Sequence, residues 1–135
     1  MSLGYLLDTN ICIYALSGRY PRVQQRIDRH VPGRIATSVI VYGELQFGIA
    51  KSARREDAQL RLDAFTQIVN VLPLPFETAE HYGDIRALLA KRGTPIGGND
   101  LWIAAHARAA NVTLVTNNIG EFERVPGLRL ANWAE

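Results

Sequence analysis

Short apolar runs recur along this chain, and each is followed by a longer segment whose hydrophobic residues fall at helical spacing. Strand-length runs alternating with helices predict a parallel sheet with helices packed against it. Tyr5-Leu6-Leu7 reads as the first strand and stops at Asp8, where Thr9 or Asn10 can cap a helix to about Leu16. Pro21 opens a second helix to about His30, because proline suits the first helical position. Arg34–Thr37 reads as the second strand, with Ser38 capping a helix to about Ala50. Arg54–Ile68 has the pattern of an amphipathic surface helix, and Val69–Leu74 that of a third strand broken by Pro73 and Pro75. Glu77–Arg92 is the next helix, stopped by Gly93, and Thr94-Pro95-Ile96-Gly97-Gly98 is a loop. Asn99 caps a buried helix to about Ala110, and Val112–Thr116 is a fourth strand. Asn117-Asn118 makes a turn, Glu121–Glu123 a helical turn, and Leu128–Leu130 a short final strand.

The expected fold class is therefore α/β, with a central, mostly parallel sheet of four or five strands covered by helices on both faces. One domain is expected across residues 1–135, a length that leaves little room for a second. Hydrophobic residues make up 47% and charged residues 21%, enough apolar content to bury a core. Cys12 is the one cysteine, so no disulfide framework exists, and no Cys/His cluster has zinc spacing. Apolar runs such as Ile35–Val41 fall far short of the roughly 20 residues of a membrane span. Asp8 and Asn10 interrupt the apolar start, which argues against a secretory signal and for a cytoplasmic protein. Net charge is only +2, yet 13 of the 15 basic residues are arginine, the side chain best suited to bidentate phosphate contact. Charge thus permits nucleic-acid binding without demanding it.

Ligand sites in an open parallel sheet lie at the carboxyl ends of the strands. Asp8 follows the first strand there, and Asn117-Asn118 follow the fourth. Asp100 sits in the first turn of the buried helix, and Glu44 part-way along the otherwise apolar helix after the second strand. Carboxylates gathered at one edge repel unless a cation relieves them, and Mg²⁺ or Mn²⁺ accepts such oxygens while keeping several waters. Each residue also has a purely structural reading. Asp8 can be a helix cap, and Asp100 can answer a helix dipole. Glu44 needs a partner that a buried arginine could also supply, while Glu121, beside Glu123 and Arg124, can be solvated surface. His30, His81 and His106 are dispersed, and His106 lies about 240° around its helix from Asp100. Cys12 reads as a small core residue, and Gly97-Gly98 lacks the lysine of a phosphate-cradling loop.

The strings Leu7-Asp8-Thr9-Asn10, Tyr42-Gly43-Glu44-Leu45, Pro95-Ile96-Gly97-Gly98-Asn99-Asp100 and Leu114-Val115-Thr116-Asn117-Asn118 resemble those of the PIN-domain ribonucleases, specifically the VapC-type toxins of VapBC toxin–antitoxin systems. Order, spacing and placement agree over essentially the whole chain. The resemblance implies an endoribonuclease that uses Mg²⁺, with Mn²⁺ as substitute, and an acidic core of Asp8, Glu44 and Asp100 holding the metal. Many members carry an aspartate in the loop after the fourth strand. This chain has Asn117-Asn118 instead, and its Thr-Asn-Asn-x-x-Glu form makes Glu121 the candidate fourth acid. Thr9, Asn10, Asn117 and Asn118 are candidate auxiliary residues. The resemblance further implies an RNA substrate such as a transfer RNA, a homodimer, and a VapB-like antitoxin whose C-terminal segment blocks the site. Apolar faces near Ile11, Tyr14 and Phe47 are candidates to receive that inhibitor, or else core or dimer contacts. The competing reading is a catalytically weakened module that grips RNA or a partner.

Overall fold

The computed structural model describes residues 2–135; Met1, the first residue of the expected domain, lies outside them. In chain order the elements are β1 (Tyr5–Leu7), α1 (Thr9–Ser17), α2 (Pro21–Asp28), β2 (Ile35–Ser38), α3 (Val39–Ala50) and α4 (Arg55–Ile68). They continue as β3 (Asn70–Leu72), α5 (Thr78–Lys91), α6 (Gly98–Ala110), β4 (Thr113–Val115), α7 (Ile119–Phe122) and β5 (Leu130–Ala131). The five strands form one sheet in the order β3-β2-β1-β4-β5, and every neighbouring pair is parallel. Leu6 and Leu7 on β1 and Leu114 and Val115 on β4 are all fully buried, as a sheet covered on both faces requires.

Chain direction across the sheet reverses once. From β1 the chain moves outward through β2 to β3, then crosses back to β4 and on to β5. Helices α1 to α4 pack on one another, α5 packs along α6, and α3 also meets α6; right-handed crossovers are the rule for parallel strands joined this way. The switch point lies between β1 and β4, where Leu7 pairs with Val115. A crevice opens beyond the carboxyl ends of these two strands, and the residues that follow each strand line it.

Local differences from the sequence expectations have identifiable causes. Asp8 itself, not Thr9 or Asn10, caps α1, because its side chain accepts from the Ile11 amide at 2.9 Å. Gly18, at φ 70°, ends that helix in the left-handed region where glycine carries no penalty. Ser38 caps α3 as expected, its hydroxyl accepting from the Ile40 amide at 3.2 Å. The third strand shortens to Asn70–Leu72, since the prolines at 73 and 75 lack the amide a ladder needs. Helix α6 begins at Gly98 with Gly97 as a cap that offers no side chain, so Asn99 is inside the first turn and is not the cap. The final strand is shifted to Leu130–Ala131, where it pairs with Leu114 and Val115.

Candidate active site

Asp8 leaves β1 directly into the crevice. Its backbone amide donates to Val115 O at 3.0 Å, tying the end of β1 to β4, and its side chain is only 5% exposed. Burial pushes the Asp8 carboxyl above the ordinary aspartate range; hydrogen bonds from Thr116 and the Ile11 amide oppose this, and the charge of Glu44 adds to it. The cap is therefore real, and it does not exhaust the residue. An N-cap needs one oxygen, and a buried carboxylate beside a second one is a poor choice for capping alone.

Glu44 lies half-buried on α3, and no arginine meets it. Thr9 Oγ1 donates to Glu44 Oε1 at 2.8 Å, linking the first turn of α1 to the middle of α3. Among the described residues the one ion pair is Arg108 with Asp84, away from this edge in sequence and element. The alternative of a buried Glu44–arginine bridge is thereby excluded.

Asp100 stands in the first turn of α6 and is pushed up to about 7. Burial is the largest cause, followed by the charge of Glu121 and a side-chain hydrogen bond to it, then by the charges of Glu44 and Asp8. Glu121 is thus half-buried and part of the cluster, and the reading of it as solvated surface fails. Two donors hold it: the Gly97 amide reaches Oε1 at 3.2 Å, and Asn118 Nδ2 bonds Oε2. Asn118 is itself set by its amide, which donates to Thr116 Oγ1 at 2.9 Å.

The other candidates separate from this group. Asn117 donates to the Tyr14 hydroxyl at 3.2 Å and accepts from Asn132 Nδ2 at 3.1 Å. It braces the loop and reaches none of the acids. Asn10 is exposed and makes no side-chain hydrogen bond to them. His106 is 1% exposed with Nδ1 unpartnered, and burial lowers its pKa to about 4, so it is a neutral core residue. Cys12 is fully buried and pushed up to about 12, which leaves no thiolate for chemistry. Ile11, read as either an inhibitor-receiving or a core residue, is completely buried and belongs to the core. A groove of about 470 Å³ beside Glu44 has an apolar wall of Ile13, Leu16, Leu45, Ile49 and Leu62, with Arg54, Asp57 and Arg61 also lining it.

Two participants escaped the sequence reading. Thr116 is fully buried, bonds Asp8 and positions Asn118. The Gly97 amide holds Glu121. Parallel pairing of Leu7 with Val115 sets Asp8 level with Thr116, so Thr116 was findable from strand register. The Gly97 contact has no sequence signal, because a backbone amide belongs to every residue.

The acids at this edge offer hard oxygens, and among the described residues none of them forms an ion pair with Lys or Arg. Such a set fits a hard divalent cation. It is an open edge and not a closed cage: among the described residues no three His, Cys, Asp or Glu side chains form a ready ligand group. A cation that keeps part of its water shell suits an open edge.

A parallel sheet whose switch point gathers acids from four elements describes a nuclease of the PIN class, and residues 5–128 match the PIN domain family. The chain is 43% identical over 130 residues to the ribonuclease VapC2 of Rickettsia felis, covering 96% of this chain and 97% of that protein. It is 37% identical to the tRNA(fMet)-specific endonuclease VapC of Salmonella typhimurium, covering 97% and 98%. Among solved structures, it superposes on VapBC-1 from nontypeable Haemophilus influenzae with TM-score 0.90 and 38% identity, covering 98% of this chain and all of that one (100%). DNA-bound VapBC from Salmonella typhimurium matches with TM-score 0.92 and 37% identity, covering 97% and 98%. The chain belongs to the VapC ribonucleases of the PIN-domain family.

Proposed function

We propose that this chain is a Mg²⁺- or Mn²⁺-dependent endoribonuclease, the toxin of a type II toxin–antitoxin pair, with Asp8, Glu44, Asp100 and Glu121 as its acidic site. The observation that carries the reading is the placement of these acids at the carboxyl ends of β1 and β4, where Glu121, Glu44 and Asp8 all act on Asp100 and, among the described residues, none forms an ion pair with Lys or Arg. A divalent ion, when bound, supplies Lewis-acid polarisation of a phosphoryl oxygen. The chain's own residues do the positioning. Asp8, at the cap of α1, and Asp100, in the first turn of α6, would hold that ion. Thr9 fixes the rotamer of Glu44, while Asn118 and the Gly97 amide fix that of Glu121. Hydrolysis on this reading leaves a 5′-phosphate and a 3′-hydroxyl.

Glu121 supplies the fourth carboxylate that Asn117 and Asn118 lack, which favours catalysis over a binding-only role. The Salmonella relative's name, a tRNA(fMet)-specific endonuclease, supports transfer RNA as the substrate class. The VapBC neighbours support a VapB-like antitoxin, and the apolar groove that adjoins Glu44 is a suitable seat for its hydrophobic side chains. We place the enzyme in the cytoplasm as a homodimer, with residues 1–135 forming one nuclease domain; no helix among the described residues is long and apolar enough to cross a membrane. The test is cleavage of cellular RNA with and without Mn²⁺, beside an Asp8→Asn variant. Equal cleavage by both proteins, or cleavage indifferent to chelation, overturns the reading.

A further inference from the structure

Tyr14 and Tyr20 stack with ring centroids 3.9 Å apart and planes 24° from parallel. The Tyr14 hydroxyl accepts from Asn117 Nδ2, so the pair is braced against the loop that carries Asn118, the holder of Glu121. Tyr20 is 39% exposed. It lines a cleft of about 340 Å³ together with Ala15, Gly18, Gln24, Gln25 and Asp28, between the end of α1 and the outer side of α2. This aromatic wall with amides beside it lies on the flank of the acidic edge, and nothing in the acidic site uses it.

We propose that this cleft receives an unpaired nucleobase of the RNA substrate, next to the nucleotides being cut. The proposal rests on the ribonuclease reading above and goes beyond it by assigning a base-binding subsite. An exposed tyrosine already stacked on one side presents an aromatic surface on which a base can continue the stack, and such stacking accepts any base. Gln24 and Gln25, which line the same cleft, carry both amide donors and acceptors for base edges, and Asp28 accepts only. A carboxylate in the cleft repels a phosphate and welcomes an exocyclic amino group, so the occupant is a base and not the backbone. Backbone phosphates have separate partners close by: Arg19 and Arg22 flank the cleft in sequence, both are exposed, and neither has an acidic partner among the described residues. Gln24 Nε2 donates to Asp28 Oδ1 at 2.8 Å, which orients both groups before a ligand arrives.

The test uses the full-length protein and short fluorescein-labelled single-stranded oligoribonucleotides, with binding read by polarisation in EDTA and cleavage read separately in Mn²⁺. Tyr20→Ala is expected to weaken single-strand binding about tenfold, while Tyr20→Phe stays within about twofold of wild type. On the wild-type protein, photo-cross-linking to RNA containing 4-thiouridine is expected to mark Tyr20, a readout that does not depend on how a variant folds. Normal RNA binding by a folded Tyr20→Ala protein, or cross-links that avoid Tyr20 altogether, overturns the subsite and leaves the nuclease standing; a cleft built for a protein segment gives that result. Wild-type protein that neither binds nor cleaves RNA overturns the nuclease reading and this subsite with it.

Discussion

Thr9 Oγ1 and Glu44 Oε1 lie 2.8 Å apart, and this one hydrogen bond joins the helix after β1 to the helix after β2 at the carboxylate they share. A hydrogen bond to a charged acceptor contributes on the order of 1.5–3 kcal/mol. Its role here is orientation, since among the described residues Glu44 has no other side-chain hydrogen bond or ion pair. Thr9→Val keeps the shape and removes the donor, so kcat/KM for RNA is expected to fall roughly ten- to hundredfold with little change in Tm. Thr9→Ser, which keeps the hydroxyl, is expected to restore most of the loss. Wild-type kinetics in Thr9→Val would show that Glu44 needs no orienting.

Asp8→Asn separates catalysis from capping. Asparagine caps a helix as well as aspartate does, so the bond from the Ile11 amide survives. The substitution also removes a charge from a buried, repulsive cluster. Cleavage is therefore expected to vanish while metal-free Tm stays level or rises, whereas Asp8→Ala loses the cap and costs about 1 kcal/mol. A clear drop in metal-free Tm for Asp8→Asn, measured calorimetrically, would assign Asp8 to structure alone.

Two residues of α6 are expected to give the metal-free protein opposite pH slopes. Asp100 has a folded pKa of about 7, above its unfolded value of 3.8. Its stabilising contribution is complete below 3.8 and is lost as pH rises through about 7. His106 has a folded pKa of about 4, below its unfolded 6.5. Stability from keeping it neutral is complete above 6.5 and is lost as pH falls toward 4, by up to roughly 3 kcal/mol. The two windows overlap and offset in wild type, so thermal melts in EDTA between pH 4 and 8 are expected to show Asp100→Asn unmasking the His106 rise from pH 4 to 6.5, and His106→Leu unmasking the Asp100 decline toward pH 7. Curves parallel to wild type in both variants contradict these assignments.

Much of this arrangement was legible because parallel α/β sheets place function by topology. The apolar runs at Tyr5–Leu7 and Thr113–Val115 point their carboxyl ends at one crevice, which brings Asp8 and the 117–118 loop together by topology alone. What the pattern could not supply was the division of labour within that loop. Asn117 and Asn118 are chemically identical, yet one turns back to Tyr14 and Asn132 while the other reaches Glu121. The Asn117 half of that choice depends on neighbours more than ten positions away in the chain, Tyr14 and, beyond the final strand, Asn132. Glu121 looked like surface for the same reason: the contact that buries it comes from the amide of Gly97 and the carboxyl of Asp100.

Glu121 is the largest charged neighbour acting on Asp100, and this makes a sharper test of the fourth acid than activity alone. Glu121→Gln keeps an oxygen for the Gly97 amide and removes the charge that holds the Asp100 proton. The Asp100 pKa, followed by carbon-detected NMR in metal-free protein, is expected to fall from about 7 toward its ordinary 3.8 without reaching it, because burial remains the first cause of the shift. Mn²⁺ affinity by calorimetry is expected to drop in the same variant, since one carboxylate fewer faces the cation. The two effects run in opposite directions on metal binding near pH 6: a lower Asp100 pKa frees an oxygen, and a lost charge weakens attraction. A net loss at pH 8, where Asp100 is mostly ionised in either protein, isolates the second effect. An Asp100 pKa unmoved by Glu121→Gln, together with unchanged Mn²⁺ affinity at pH 8, would return Glu121 to the surface role first open to it.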